Sequence, residues 1–431
     1  MKLDGSGLAG PRLSNFLFLQ GPVGGFFSQL ARRLAERGHG VRRIHFNGGD
    51  RLFWRAGDAV DYRGGADAWP AFLAARLLEW KTTDIVLFGD CRPLHRAAID
   101  LARTHGISVH VFEEGYLRPN WITLEPGGVN RFSRLPRDAQ HYRDHARLAP
   151  EWTPGNAVRN SFVRRALADI VYNLACLLLS WRYAQYVTHK PWHPLAEYRH
   201  GAPRFIAGPF HRRRSARETA ALLGSGKPYF IFPLQLDGDA QIRFHSPYGH
   251  MRPAIEEVIG SFARHAPGDA MLVVTEHPMD WGVSDLAPAV HAAATSHGIA
   301  ARVVFLAGGT PEPLLRGSRG VVTVNSTVGL LALGMGLPTK ALAEPIYDLP
   351  GLCCQSPLAD FWRDATPPDG ELFASFRRIV TAHSQINGGF YSRHGIELAL
   401  ANAVSRLSST DLLQLETIPA LPPRALLART G

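Results

Sequence analysis

Four stretches of this 431-residue chain place acidic, basic and hydroxyl side chains directly behind apolar runs. In an open α/β sheet that is where ligands bind. The stretch "VFEEGYLRPNWITLE" (111–125) carries two adjacent carboxylates, Glu113 and Glu114, with Arg118 four residues beyond Glu114. A carboxylate partly withdrawn from water acquires a raised pKa and serves as a general base, while an arginine holds an anion. The plainer alternative is a solvated loop with an ion pair. "IFPLQLDGDAQIRFHSPYGHM" (231–251) ends an apolar run in Asp237 and Asp239, followed by Gln241, Arg243, His245 and His250. An Asp-Gly turn accounts for Asp237 but not for Asp239 and the polar residues behind it. "TEHPMDWG" (275–282) puts His277 and Pro278 at the end of another run, and "VTVNSTVGLLALGMG" (322–336) puts Asn325, Ser326 and Thr327 where a helix begins. Backbone N–H groups, hydroxyls and a positive helix end make an anion site there, against the simpler reading of a helix cap. The opening "FLFLQGPVGGFF" bends at Gly21, Gly24 and Gly25 with the spacing G-x-x-G-G. The dinucleotide fingerprint requires G-x-G-x-x-G, so these glycines suit a ligand-lining or structural turn better than a dinucleotide cradle.

The elements that must hold these residues follow from hydrophobic periodicity. "NFLFLQ", "VRRIHFN", "DIVLFGD" and "SVHVFEEG" read as buried strands, and "FFSQLARRLAERG", "AWPAFLAARLLEW" and "LHRAAIDLARTHG" as helices between them. That alternation predicts a mostly parallel sheet covered on both faces. Between 130 and 215 the rhythm fails, in a segment rich in Arg, His, Trp and Tyr that holds an apolar helix at 166–181 and a linker through "GAPRFIAGPFHRRR". A second α/β unit begins at "PYFIFPLQL" and runs to "PTKALA". The expected fold is α/β, with two Rossmann-like domains facing a central cleft. The first domain spans 14–215, including a helical insertion at about 130–215. The second spans 216–418, and 419–431 is a loose, Pro-rich tail.

Composition narrows the partners. A hydrophobic fraction of 45% excludes a disordered chain, and a net charge of +10 favours an anionic partner. Cys91, Cys176, Cys353 and Cys354 have no metal-ligand spacing and no disulfide framework, which fits a reducing cytoplasm. The N-terminus lacks the apolar core of a secretory signal, and the helix at 166–181 is short of a bilayer span and carries Asp169. A soluble or peripherally bound protein is expected. Trp, Tyr and Arg around that helix suit a membrane interface, or equally an interdomain core. The scattered basic residues accompany no nucleic-acid-binding motif, so no nucleic-acid partner is expected.

Taken together, "FLQGPVGGFF", "HFNGGD", "FGDCRPLH", "FEEGYLRP" with "ITLE", "PLQLDGDAQIRFHS", "HPMD" and "VNSTVGLLAL" resemble the KpsS/LipB-type capsular polysaccharide biosynthesis/export family over roughly 14–395. The resemblance implies a two-domain, glycosyltransferase-B-like fold and a retaining β-Kdo glycosyltransferase (Kdo being 3-deoxy-D-manno-oct-2-ulosonic acid) at the cytoplasmic face of the inner membrane of a Gram-negative bacterium. The donor would be CMP-Kdo, held by the C-terminal half. The acceptor would be a (lyso)phosphatidylglycerol-type anionic phospholipid on which a poly-Kdo linker begins. A KpsC-like transferase that extends the linker and the capsule export complex are the implied partners. By that resemblance Asp239 is the nucleophile of a double displacement, with Asp237 as fallback. Glu113 is the base for the acceptor hydroxyl and Glu114 the second choice, since strand alternation turns the two apart. His277 and Pro278 are similar to the His-Pro pair that meets the CMP phosphate in CMP-sialic-acid transferases. With Asn325, Ser326 and Thr327 they would stabilise the departing phosphate, so neither a cofactor nor an essential metal is expected. Gln241 and Arg243 complete the donor site, Arg243 on the sugar carboxylate. Gly21, Gly24, Gly25 and Arg118 lie on the acceptor side. The chain departs from the family pattern in having Thr275 and Glu276 before His277, where a lysine is expected; Arg243 is the cation available to compensate. Two rival expectations stand beside this one: a non-catalytic export or scaffold protein that binds capsule glycan, and a transferase for another nucleotide-sugar.

Overall fold

The computed structural model of the protein describes residues 13–188, 192, 194–280, 283–308 and 311–408. The tail expected to be loose lies outside these residues. The chain begins with β1 (Asn15–Phe18), α1 (Phe26–Ala35), β2 (Gly40–His45), α2 (Gly48–Leu52), β3 (Asp58–Asp61), α3 (Trp69–Glu79), β4 (Asp84–Phe88), α4 (Pro93–Thr104), β5 (Ser108–Glu114) and β6 (Trp121–Pro126). There follow α5 (Ala139–His145), α6 (Phe162–Leu178) and α7 (Pro194–Gly224). Next come β7 (Tyr229–Pro233), α8 (Ala240–Arg243), α9 (Met251–His265), β8 (Met271–Thr275), α10 (Leu286–Ser296), β9 (Val303–Leu306), α11 (Pro311–Gly317), β10 (Gly320–Thr323), α12 (Thr327–Gly334) and β11 (Thr339–Ala341). The described chain closes with α13 (Leu358–Asp364), α14 (Gly370–Ser384), β12 (Gln385–Asn387) and α15 (Arg393–Ser408).

The chain divides into two compact units, one of Met1–Arg134, Thr153–His189 and Val380–Gly431, the other of Leu135–Trp152 and Lys190–Ile379. This division is not the linear one expected at 215/216, because the C-terminal segment returns to the first unit. Its β12 pairs antiparallel with β6, and α15 packs with α1 in one apolar cluster through Ala399, Leu400, Ala403, Phe26, Phe27 and Leu30. The expected linker at 201–214 is also absent: α7 runs through Gly201, Pro203, Gly208 and Pro209 as one helix. Its last turns are Ala-rich and bury Leu222 against the second sheet, which outweighs the breakers ahead of them.

Both units are α/β, as expected. The first sheet has the order β12-β6-β5-β4-β1-β2-β3, parallel from β5 to β3 with an antiparallel edge, and the second has the parallel order β11-β10-β7-β8-β9. Alternation along a strand sends neighbours to opposite layers. Phe16 and Phe18 meet α1 and α15, while Leu17 and Leu19 meet Trp69 and Leu73 of α3. In the second unit Phe230 and Phe232 meet α9 and α13, while Ile231 packs toward Leu314 and Leu315 of α11. Strands covered on both faces are continuous apolar runs, which is why the sequence shows them so plainly. Each sheet changes its winding direction beside its first strand. The switch lies between β1 and β4 in the first unit and between β7 and β10 in the second.

Candidate active site

In the second unit the residues behind β7 and β10 are tied together across the switch point. The Gln235 amide donates to Asn325 Oδ1 at 2.8 Å, and Gln235 Oε1 accepts from the Asn325 backbone N–H at 3.2 Å. Asn325 Nδ2 donates to the carbonyls of Gln241 and His245, at 2.8 and 3.2 Å. The Asn325 side chain is thus spent on holding two loops in register. Asp239 caps the short α8 by accepting from the Gln241 N–H at 3.0 Å, so the carboxylate, Gln241 and Asn325 form one connected chain. Asp237 is committed elsewhere. It accepts from Met251 N at 2.6 Å and starts α9. Arg243 lies over the Phe244 ring at 5.1 Å, His245 is buried, and His250 is exposed at the start of α9.

Ser326 caps α12 by accepting from Val328 N at 3.2 Å, and Thr327 is the first residue of the helix. The Tyr347 hydroxyl, fully buried, donates to the Ser326 carbonyl at 2.6 Å and fixes the turn from behind. At the end of β8, His277 and Pro278 form a turn closed by Asp280 N donating to the His277 carbonyl at 2.9 Å. His277 Nδ1 accepts from Met279 N at 3.1 Å, which leaves the ring proton of the neutral form on Nε2. Three strand ends of one parallel sheet therefore supply a carboxylate, an imidazole N–H and a capped helix start. That set can bind a phosphate and attack the carbon attached to it.

In the first unit the two candidate bases point apart. Glu113 lies over Gly89, where a Cβ would approach its Oε2 at 3.4 Å. It also accepts from Glu114 N at 2.9 Å. Glu114 faces Arg165 of α6 at 3.8 Å. Arg118 Nε donates to the Gly115 carbonyl at 3.2 Å, so it shapes the loop that follows the two glutamates. Gly21 turns against Phe27, Gly24 has φ +116°, a conformation that favours glycine, and Gly25 precedes α1.

The motifs "HFNGGD" and "FGDCRPLH", in which no side chain has a role by sequence alone, are structured around the first switch point. Asn47 Oδ1 caps α2 by accepting from Asp50 N at 2.9 Å. Asp50 is fully buried. It pairs with Arg43 at 3.3 Å and accepts from Phe46 N at 3.2 Å and from the Tyr172 hydroxyl at 3.1 Å. Burial pushes the Asp50 pKa up and the Arg43 pKa down, and each charge opposes the shift of the other. Gly48 and Gly49 let α6 come close, since a Cβ there would strike the Ala175 carbonyl at 2.1 Å and the Tyr172 ring at 2.4 Å. A cavity of about 90 Å³ opens beside them, lined by Gln20, Phe46, Tyr62, Arg92, His95 and Tyr186. His95 is 1% exposed, and its Nδ1 donates to the Gly89 carbonyl at 2.8 Å. Burial, with Arg92 nearby, holds its pKa at about 3, so the ring is neutral and Nε2 is a buried acceptor with no hydrogen-bond partner among the described residues. The signal that would have found this set is positional: Asn47 and Asp50 come just after β2 and His95 just after β4, as Asp239 comes after β7.

A family model described as capsule polysaccharide biosynthesis protein matches residues 83–391. The chain is 35% identical over 382 residues to the capsule polysaccharide export protein KpsS of Escherichia coli, covering 87% of this chain and 96% of that protein. It is 36% identical over 387 residues to the capsule polysaccharide modification protein LipB of Neisseria meningitidis serogroup B, covering 88% and 92%. Among solved structures, the beta Kdo 2,7 transferase KpsC of Thermosulfurimonas dismutans aligns over 91% of this chain and 99% of its own, with 13% identity and a TM-score of 0.42. The chain belongs to the capsule polysaccharide biosynthesis protein family.

Proposed function

We propose that this family member is a retaining glycosyltransferase that moves β-Kdo from CMP-Kdo to a (lyso)phosphatidylglycerol-type lipid and so begins the poly-Kdo linker of a Gram-negative capsule. The reading rests on the second switch point, where Asp239, Gln241 and Asn325 are joined by hydrogen bonds beside the capped start of α12. Asp239 attacks the anomeric carbon of Kdo. The bond to the phosphate oxygen breaks, and its electron pair leaves with CMP. His277 Nε2–H and the α12 start, with Ser326 and Thr327, stabilise that departing charge, and Arg243 takes the sugar carboxylate. Glu113 then removes the proton of the acceptor hydroxyl, which attacks the same carbon and frees Asp239. Asn325 positions and does not touch the donor, because its amide is already spent. The cavity beside Gln20 offers Arg92 and the bare His95 Nε2, a pairing suited to a hydroxylated anionic head group, and we assign it to the acceptor.

The protein would act at the cytoplasmic face of the inner membrane, alongside a KpsC-like transferase and the export complex. Among the described residues no helix is long and apolar enough to cross a membrane. Purified protein given CMP-Kdo and lipid is expected to release CMP and yield a lipid heavier by one or more Kdo units in mass spectrometry. Asp239→Ala should lower transfer by roughly 10⁴-fold or more, and Glu113→Gln by roughly 10²–10⁴-fold with donor binding intact. Full activity of Asp239→Ala would remove it as nucleophile. No CMP release with any acceptor would favour a non-catalytic glycan-binding protein. Thermal shifts with CMP, UDP and GDP separate donors, since a bound nucleotide stabilises the folded state.

A further inference from the structure

Helix α6 is turned inside out relative to an ordinary surface helix, which shows water its polar side. Its polar residues Arg165 and Tyr172 face the rest of the first unit. Tyr172 hydrogen-bonds with Gln20, Asn47 and Asp50, and Arg165 lies over the Tyr391 ring at 4.8 Å and beside Glu114. The solvent side is apolar without interruption: Val163, Leu167, Ile170, Val171, Leu174, Leu177 and Leu178 are between 43% and 66% exposed, and Trp181 in the next turn is 73% exposed. At 3.6 residues per turn the seven positions within α6 share an arc of about 120° and extend about 23 Å along the axis. Scattered exposed apolar residues need no explanation, but a contiguous stripe of this kind marks an interaction surface.

We propose that this face of α6 docks the protein on the surface of an anionic phospholipid bilayer. The charge around it selects that occupant. Residues 153–188 carry four arginines and a single carboxylate, Asp169, which accepts from Asn173. Arg159 and Arg164 are exposed at the N-terminal end of the stripe. An anionic surface meets those guanidinium groups, whereas a second copy of the chain brings no carboxylate of this face to pair them. A helix with large apolar side chains on one face, flanked by arginine and ending in tryptophan, lies in the plane of the lipid interface with its apolar face immersed by about 5–10 Å. At 17 residues α6 is too short to span, and its polar side is held by the protein. The proposal deepens the lipid-acceptor reading and rests on it for the purpose of docking, yet binding is measured without any sugar donor, so the two fail separately.

The test is flotation of the full chain with phosphatidylglycerol-containing vesicles and with pure phosphatidylcholine vesicles. The protein is expected to float with the anionic vesicles, and Leu167→Ser/Leu174→Ser/Leu178→Ser to lose more than about tenfold in affinity. These positions are exposed, so the melting temperature should hold. Arg159→Gln and Arg164→Gln should each cost about fivefold and weaken the salt dependence. A lipid-borne quencher should dim wild-type fluorescence more than that of Trp181→Phe. The proposal falls if the wild type stays in the soluble fraction, or if the triple variant floats equally well. It falls too if light scattering without lipid shows a dimer that the triple variant dissolves. CMP release lost while flotation persists would instead overturn the transferase reading.

Discussion

The two sheets change direction at equivalent places, yet they equip those places with opposite chemistry. Between β7 and β10 the ends are joined by neutral amides, Gln235 and Asn325, which exhaust each other and the carbonyls of Gln241 and His245. Between β1 and β4 the neighbourhood is a buried ion pair, Arg43–Asp50, roofed by Tyr172 and flanked by the uncharged rings of His45 and His95. Neutral amides fix loops without adding a field, so the potential at the second switch point is left to His277 and the start of α12, where a phosphate would depart. Buried charge makes the first switch point sensitive to pH and to the loss of either partner.

The largest expected effect tests that cost. Asp50→Ala leaves the Arg43 guanidinium buried without its counter-ion and removes an acceptor for Phe46 N and the Tyr172 hydroxyl. A loss of about 3–5 kcal/mol is expected in chemical denaturation, since breaking one side of a buried pair strands the other charge. Hydrogen exchange should show α6 loosening first, because Tyr172 holds it to α2. A loss no larger than that of an exposed carboxylate would mean that the pair is solvated, and the contrast with the amide site would vanish.

The next effect is a pH slope. Burial, with Arg43 as the second cause, holds His45 at about 3, and burial with Arg92 holds His95 at about 3. Unfolded histidines titrate near 6.5, so between about 6.5 and 3 the unfolded chain binds protons that the folded chain refuses. Each ring therefore stabilises the fold above pH 6.5 and withdraws about 1.4 kcal/mol per pH unit as pH falls. Denaturation midpoints compared at about pH 7.5 and 5.5 should show this slope, and His95→Phe should flatten it by one ring's share. An unchanged slope would mean that the folded ring takes up its proton over the same pH range as the unfolded one.

A smaller effect probes the amide side. Asn325→Ala leaves the Gln235 amide N–H and two loop carbonyls without their partner, costing about 1–3 kcal/mol. Because the link runs to Gln241 and hence to the Asp239 cap, CMP-induced stabilisation should fall further than stability itself. Equal losses would reduce Asn325 to a structural residue.

The asymmetry also explains what the sequence disclosed. Strand-end residues were legible because apolar runs bounded them: Asp239, His277 and Ser326 all sit just behind buried strands. Their partners were not legible. Gln235 and Asn325 are 90 positions apart, and Asp50 and Tyr172 are 122 apart, so no local pattern couples them. "HFNGGD" therefore read as a motif without a role, although its glycines and carboxylate are the seat of α6. Strand β12 has three residues, too few for a period, and the return of the C-terminus to the first sheet was hidden with it. In α7, Gly and Pro pointed to a linker because their propensities are local, whereas the packing of Leu222 is not.

The smallest effect separates cap from ligand contact at α12. Ser326→Ala deletes the acceptor for Val328 N, while Tyr347 still holds the Ser326 carbonyl. Loss of an N-cap of this kind costs about 1 kcal/mol, small enough to leave the protein folded and soluble. If Ser326 only caps, Ser326→Asp restores stability, since aspartate caps as well as serine does. If the hydroxyl also faces the departing phosphate, the same aspartate brings a negative charge to it. Ser326→Asp should then melt like the wild type and bind CMP more weakly than Ser326→Ala. Parallel CMP-induced melting shifts for the three proteins decide between the two, and equal shifts for both variants would confine Ser326 to the helix it starts.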